Sequence, residues 1–240
     1  GATIDLVFYG ANIQTFGVSR TQPRPIWPGY TGMTWQRYIV WDEFQAEFLR
    51  DLGLTGPAII GGPIGFVDSA TVPEQLPKPY VVVFDVTPQR PVSLAMRGIP
   101  QPYYTAEVGW RFISDVQVSL EACGFSMVYK KKREIGRVAA APFRTRLERL
   151  CSQMRVVAVD PEIAPQRLIK EAAGVISMPF TSTALIARAM GKPAVYYDPL
   201  GVLVDEPLLA HGIDVIGNRT DLNHWLATLE QSQLVRQPVS

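Results

Sequence analysis

The chain has 240 residues, 47% of them hydrophobic, with a formal net charge of +1; this admits one large or two small globular domains and gives no whole-molecule attraction to nucleic acid. Its two cysteines, Cys123 and Cys151, exclude a disulfide framework and read as core thiols in a reducing, cytoplasmic setting. The sequence has no run of 18 apolar residues, so no membrane-spanning helix is expected, and no secretory leader pattern is read.

The chain opens on Gly1-Ala2-Thr3 rather than Met, which reads as the scar of a cleaved tag and predicts a piece of a longer protein. The first 75 residues are rich in Gly, Pro, Trp and Tyr. They predict a strand over 3–9, one helix over 41–52 closed by Gly53, and an apolar strand over 58–61 ahead of Gly62-Pro63. This is too little for an independent two-layer core, so it is expected to be the tail of another α/β unit packed on the main one. Residues 67–78, polar and Pro-containing, predict the linker.

From residue 76 strands and helices alternate. Strands are predicted over 80–86, 125–129, 155–159, 174–178, 194–197 and 213–216. Helices are predicted over 105–123, 142–154, 165–173, 184–190 and 221–231, with a Pro-rich loop over 88–102. Thr105 and Thr220 suit helix starts; Gly124 and Gly191 suit helix ends. Six short strands alternating with helices predict an α/β fold, a Rossmann-like doubly wound parallel sheet over 76–240 with a partial α/β segment before it.

The carboxyl edge of such a sheet is where ligands bind, and three groups of residues are expected there. Pro179-Phe180-Thr181-Ser182-Thr183 follows the fourth strand and opens a helix. Three consecutive hydroxyls exceed what an N-cap needs, and with free amides they make a phosphate site; the plainer reading is a helix cap. Lys130, Lys131, Lys132 and Arg133, with Arg137 close behind, follow the second strand. Strand alternation sends Lys130 and Lys132 one way, where they would neutralise a diphosphate; the plainer reading is a solvated basic turn. Asp198 follows the fifth strand and is placed to hold a ribose hydroxyl or base, or else to start an Asp-Pro turn. Asp85, Thr87, Arg90, Tyr103, Tyr104 and Glu107 are weaker candidates to line the same cleft, and Tyr196 and Tyr197 to stack on a base.

Several chemistries lack their motifs. There is no GxGxxG after a strand, no GxxxxGK[ST] and no GxSxG. His211 and His224 have no partners at ligand spacing, so no metal is expected, and His211 reads as a loop residue. The basic cluster lacks interleaved aromatics, so no nucleic-acid partner is expected.

The stretch GVISMPFTSTALIARAMGKPAVYYDP (174–199) resembles the donor-side motif of bacterial GT-B-type glycosyltransferases of surface and capsular polysaccharide synthesis. VYKKKRE (128–134) is similar to a basic position in related transferases, and YIVWDEFQAEFLRDLG with AIIGGPIGF to the end of their first domain. The resemblance implies a donor-binding domain over 76–240, an acceptor-side remnant and linker over 1–75, and direct transfer of a sugar from a nucleotide-sugar to a glycan acceptor. It implies no cofactor or metal, a cytoplasmic enzyme with peripheral inner-membrane association, and a catalytic base outside this stretch. Carried over by position, Thr181, Ser182 and Thr183 would hold donor phosphate, assisted by Lys130, Lys132 and Arg133. Two features depart from the family pattern. The helix over 184–190 has no acid, its one charge being Arg188, and Lys131-Lys132 stands where some relatives have His-Pro. Asp198 is the candidate to replace the missing acid. Two rivals remain: a nucleotide-sugar epimerase of the same fold, and a non-catalytic scaffold of a polysaccharide-assembly complex.

Overall fold

The computed structural model describes residues 3–11, 13, 28–65, 71–96, 102–130, 140–203 and 206–236. Two parallel sheets appear among them. The first has three strands, β1 (Asp5–Val7), β2 (Arg37–Val40) and β3 (Ala58–Ile60), in that order. A short helix α1 (Pro28–Thr31) precedes β2, and α2 (Glu43–Asp51) follows it. Strand β2 and helix α1 are absent from the sequence expectation. The strand has only four residues and begins on an exposed arginine, so its apolar content merges with the helix that follows. Its alternation is still visible: Tyr38 and Val40 are buried, while Arg37 is exposed and forms a two-bond pair with Asp5 across the β1–β2 ladder.

The second sheet holds β4 (Tyr80–Phe84), β5 (Ser126–Lys130), β6 (Val156–Val159), β7 (Gly174–Ser177), β8 (Ala194–Tyr197) and β9 (Val215–Ile216), all parallel, in the order β6-β5-β4-β7-β8-β9. Numbered within this sheet the order is 3-2-1-4-5-6, the doubly wound order expected for a Rossmann-like fold. Helices α3 (Pro91–Met96), α4 (Ala106–Ala122), α5 (Ala141–Cys151), α6 (Pro165–Glu171), α7 (Ser182–Ala189) and α8 (Arg219–Arg236) complete it. Strand β4 is buried at all five positions, as a central parallel strand covered on both faces must be.

The two faces of this sheet carry different helices. Val81, Val83, Met127, Tyr129, Ile176, Val195 and Tyr197 pack with α4, α5 and α8. Tyr80, Val82, Val128, Val175 and Tyr196 pack with α6 and α7, and that cluster continues without a break into Phe8, Tyr38, Val40, Trp41 and Phe48 of the first sheet's layer.

Side-chain caps start α2, α4 and α8, and a proline stands at the first or second position of α3, α5 and α6. Thr105 accepts from Val108 N–H to start α4, and Gly124 ends it at φ 73°. Asn218, rather than Thr220, begins α8 by accepting from Asp221 N–H. Helix α3, set inside the expected loop, starts at Pro91, whose fixed φ suits a first helical position. Helix α7 starts two residues earlier than predicted, so Ser182 and Thr183 are helical and Thr181 is the N-cap. Cys123 and Cys151 are half-buried rather than core thiols.

Candidate functional site

The strand order reverses between β4 and β7. Their outgoing connections leave for opposite faces of the sheet, which opens a crevice at their carboxyl ends. Both exits hold a non-glycine residue in the left-handed region, Thr87 after β4 (φ 52°) and Phe180 after β7 (φ 58°). For a β-branched and an aromatic residue this costs on the order of 1–3 kcal/mol each, and such residues cluster at ligand sites. The packing that holds them is visible at Phe180, which is buried against Tyr196, ring centroids 5.9 Å apart. The Tyr196 hydroxyl donates to the Thr181 carbonyl at 3.1 Å.

Thr181 stands at the N-cap of α7 but does not cap it. Its Oγ1 turns back to donate to the Met178 carbonyl at 2.8 Å and makes no bond to the helix's first-turn amides. Thr183 Oγ1 lies 3.0 Å from Ser177 Oγ and 3.3 Å from Thr181 Oγ1. The three hydroxyls Ser177, Thr183 and Thr181 therefore form one chain at the crevice, beside amides that no side chain of the cap has taken. Ser177, as the last residue of β7, is a member that sequence reasoning missed; the end of that strand was the available signal. Ser182, half-buried, faces the first sheet's layer. A Cβ added to Gly10 would lie 3.5 Å from its Oγ.

Lys130 is part of β5 rather than of the loop after it, and the residue is 95% covered. Its Nζ donates to the Pro161 carbonyl at 2.7 Å, and no described carboxylate lies within ion-pair distance. Burial pushes its pKa down, while the charges of Glu162 and Asp160 pull it back up. Among the described residues Lys130 is thus a buried cation with no paired carboxylate, at the carboxyl edge of the sheet. Lys131, Lys132, Arg133 and Arg137 lie outside the described residues.

Asp198 occupies the predicted place, fully buried, but its carboxylate is engaged by four donors. Oδ1 accepts from Tyr103 Oη (2.9 Å) and Leu200 N–H (2.9 Å); Oδ2 accepts from Val202 N–H and Leu203 N–H (2.8 Å each). Those four bonds use its acceptor capacity, so the geometry gives Asp198 the work of building the 198–203 turn. Asp85 is likewise buried and accepts from Tyr129 Oη at 2.6 Å. Burial first, and then the Asp85 charge, push the Tyr129 hydroxyl well above its ordinary pKa, so it remains a donor. Tyr196 and Tyr197 are buried, their hydroxyls bound to the Thr181 carbonyl and to Asp115, so neither ring is offered for stacking. His211 is buried and lies 2.8 Å from Asp42, a contact across the two layers that sequence reasoning missed.

No group of three or more His, Cys, Asp or Glu among the described residues is arranged to hold a metal ion. No helix among them is long and apolar enough to cross a membrane.

Comparisons with known proteins bear on both fold and kinship. TarM, an S. aureus protein, aligns over 97% of this chain at 11% identity with a TM-score of 0.48 in one solved structure and 0.50 in another. The pneumococcal O-GlcNAc transferase GtfA, solved with UDP and GlcNAc, aligns over 98% at 12% identity and TM-score 0.49. A Methanocaldococcus jannaschii UDP-GlcNAc 2-epimerase, solved with UDP-GlcNAc and UDP, aligns over 66% at 12% identity and TM-score 0.38. At such identities the TarM likeness at 0.50 speaks for the fold, and the lower scores carry no argument. The chain spans 44% of TarM, 46% of GtfA and 39% of the epimerase. Among curated proteins, no sequence matches. The model for polysaccharide biosynthesis PFTS motif proteins matches residues 1–226. Those four letters are spelled at Pro179-Phe180-Thr181-Ser182, the turn that forms one wall of the crevice. By that match over nearly its whole length, the chain belongs to the polysaccharide biosynthesis PFTS motif family.

Proposed function

We propose that this chain binds the nucleotide-sugar donor of a metal-independent glycosyltransferase that elongates or decorates a polysaccharide or glycan. The observation that carries the reading is the uncapped start of α7 at the strand-order switch. Thr181 withholds its hydroxyl from the helix amides, leaving a dipole-favoured anion position. Two strands away Lys130 brings a buried positive charge to the same edge. In this reading the amides of α7, with Ser182 and Thr183, take the donor's diphosphate. Lys130, aided by Lys132 and Arg133, offsets the charge that develops on the leaving nucleotide as the glycosidic bond breaks. Membership of a polysaccharide biosynthesis family supports the substrate class. The division into an acceptor-side part over 1–75 and a donor-binding part over 76–240 belongs to the same proposal.

Calorimetric titration with UDP, CDP, CMP and GDP tests it. Binding of at least one diphosphate, weakened by Ser182→Ala, is the expected outcome. Absence of binding by all four at millimolar concentration counts against the donor role and favours a scaffold. Release of free nucleotide with epimerised sugar, in the absence of an acceptor, would favour an epimerase instead.

A further inference from the structure

The N-cap of α2 receives more donors than a cap requires. Asp42 Oδ1 accepts the expected bond from Gln45 N–H at 2.9 Å. The same carboxylate lies 3.0 and 2.8 Å, oxygen by oxygen, from His211 Nδ1, and its Oδ2 accepts from Arg188 Nη2 at 3.0 Å. Arg188 Nη1 also donates to the His211 carbonyl. The guanidinium sits 5.0 Å from the centre of the Phe44 ring, which is itself 6.0 Å from the His211 ring. His211 holds a left-handed φ of 54°, and a Cβ on Gly212 would come within 2.9 Å of Phe44. Asp42 is 94% covered, so its charge is stabilised by these partners rather than by water.

The cluster joins two layers through one helix. Arg188 is in the last turn of α7, and Ser182 begins the same helix, about 9 Å away at 1.5 Å per residue. At that beginning the neighbour is Gly10, whose carbonyl accepts from Gln45 Nε2 at 3.1 Å. Gln45 is in turn bound to Asp42 through its backbone and to Trp41 N–H through Oε1. A connected frame, Gly10–Gln45–Asp42, thus lies along α7 and meets it at both ends.

We propose that Asp42 is a positioning residue for the phosphate site: its charge, held by Arg188 and His211, fixes how α7 presents Thr181, Ser182 and Thr183 to the crevice. The inference rests on the donor-phosphate reading of the α7 start, and it makes anion affinity there depend on a carboxylate that never touches the ligand.

The test uses the whole 240-residue chain and Asp42→Asn, which keeps the shape and removes the charge. Titration with UDP, CDP and GDP should show affinity lowered tenfold or more. Combining Asp42→Asn with Ser182→Ala should weaken binding little beyond the worse single variant, because both act through one helix. Asp42→Glu should restore part of the loss. Hydrogen exchange without ligand should quicken across α7 by a larger factor than across α4, on the opposite face of the sheet. Wild-type affinity in Asp42→Asn, or full additivity in the double variant, overturns the inference. If the wild-type chain binds none of the three nucleotides, the donor reading fails, and exchange still decides this one: unaltered α7 exchange in Asp42→Asn overturns it. Should that variant not fold, Arg188→Met leaves the α2 cap intact and is measured in its place: weakened affinity with faster α7 exchange supports the inference, and no change in either overturns it.

Discussion

The Tyr103 hydroxyl donates to the Asp198 carboxylate at 2.9 Å, tying the turn ahead of α4 to the turn that follows β8. Strand β7 lies between the strands that precede those turns, so the bond spans the crevice mouth. Burial first, then the Asp198 charge and hydrogen bond, raise the Tyr103 pKa, which keeps the proton on the phenol. Tyr103→Phe removes one of four donors and should cost about 1–2 kcal/mol in urea unfolding. Asp198→Ala orphans all four and should cost more than about 3 kcal/mol by the same reasoning. Nucleotide affinity should change less than threefold in Tyr103→Phe. A large affinity loss at unchanged stability would return Asp198 to the ligand.

Lys130→Met separates function from stability. The variant should bind a nucleoside diphosphate at least tenfold more weakly, yet be as stable as wild type or more so, since a buried cation without a paired carboxylate among the described residues is removed. The sign with pH follows from its lowered pKa. The unfolded chain binds a proton here more readily than the folded one. The cost of the charge is therefore fully present below the folded pKa and fades as pH rises through it toward the ordinary 10.5. The stability difference between wild type and Lys130→Met should shrink between neutral pH and about pH 10, read by urea midpoints at each pH.

Asp42 predicts the acid limb. Burial pushes its carboxyl upward, but the hydrogen bond and charge of His211, the Gln45 N–H and the charge of Arg188 outweigh that and leave it below the ordinary 3.8. Its contribution is therefore present above about pH 4 and lost as pH falls through the lowered value. Among the described residues, Glu43, 3.7 Å from the Arg188 guanidinium, and Tyr196, whose pKa is raised by burial and then by Asp42, also face the cluster. Asp42→Asn should lose about 3 kcal/mol at neutral pH and show a flatter loss below about pH 4, read by urea midpoints across the acid range.

Gly109→Ala reverses a familiar rule. Alanine in a helix is ordinarily better than glycine by about 1 kcal/mol. Here the added Cβ would lie 2.2 Å from Cγ of the Pro88 ring and 3.4 Å from Phe143, a clash the rigid ring cannot relieve. Overpacking of about 1–3 kcal/mol should make the variant less stable than wild type, measurable as a lower unfolding midpoint.

The second sheet was legible because its signals are local. YVVVF, GVIS and AVYY are short apolar runs with punctuation at their ends, and their order follows from the handedness of βαβ crossovers. The PFTS turn was legible for the same reason, as hydroxyls after a strand. What remained hidden depends on distance in sequence. Thr181 looks like a cap, and its hydroxyl points the other way because Met178 offers a carbonyl behind it. Asp198 looks like a ligand, and Tyr103, 95 residues earlier, helps close it. The helix expected over 41–52 placed Asp42 inside it, whereas Asp42 caps a helix that begins at Glu43; that Arg188 and His211 converge on it cannot be read from spacing. Lys130 looks like the start of a basic turn, and its pairing with Phe84 on one side and Val159 on the other shows it to be the end of a strand.

The apolar cluster that runs from the first sheet into the second has a consequence for biosynthesis. Asp42 meets His211 169 residues later, and Phe8, Tyr38 and Trp41 share their packing with residues as far along as Ile213. At ribosomal speeds of roughly 5–20 residues per second, the inner face of the first sheet waits about 10–30 s for the segment that covers it. During that interval Tyr38, Val40 and Trp41 lack the part of their cover that comes from the second sheet's layer, and a chaperone that shields apolar strands on nascent chains should be found on this protein before residue 213 has emerged.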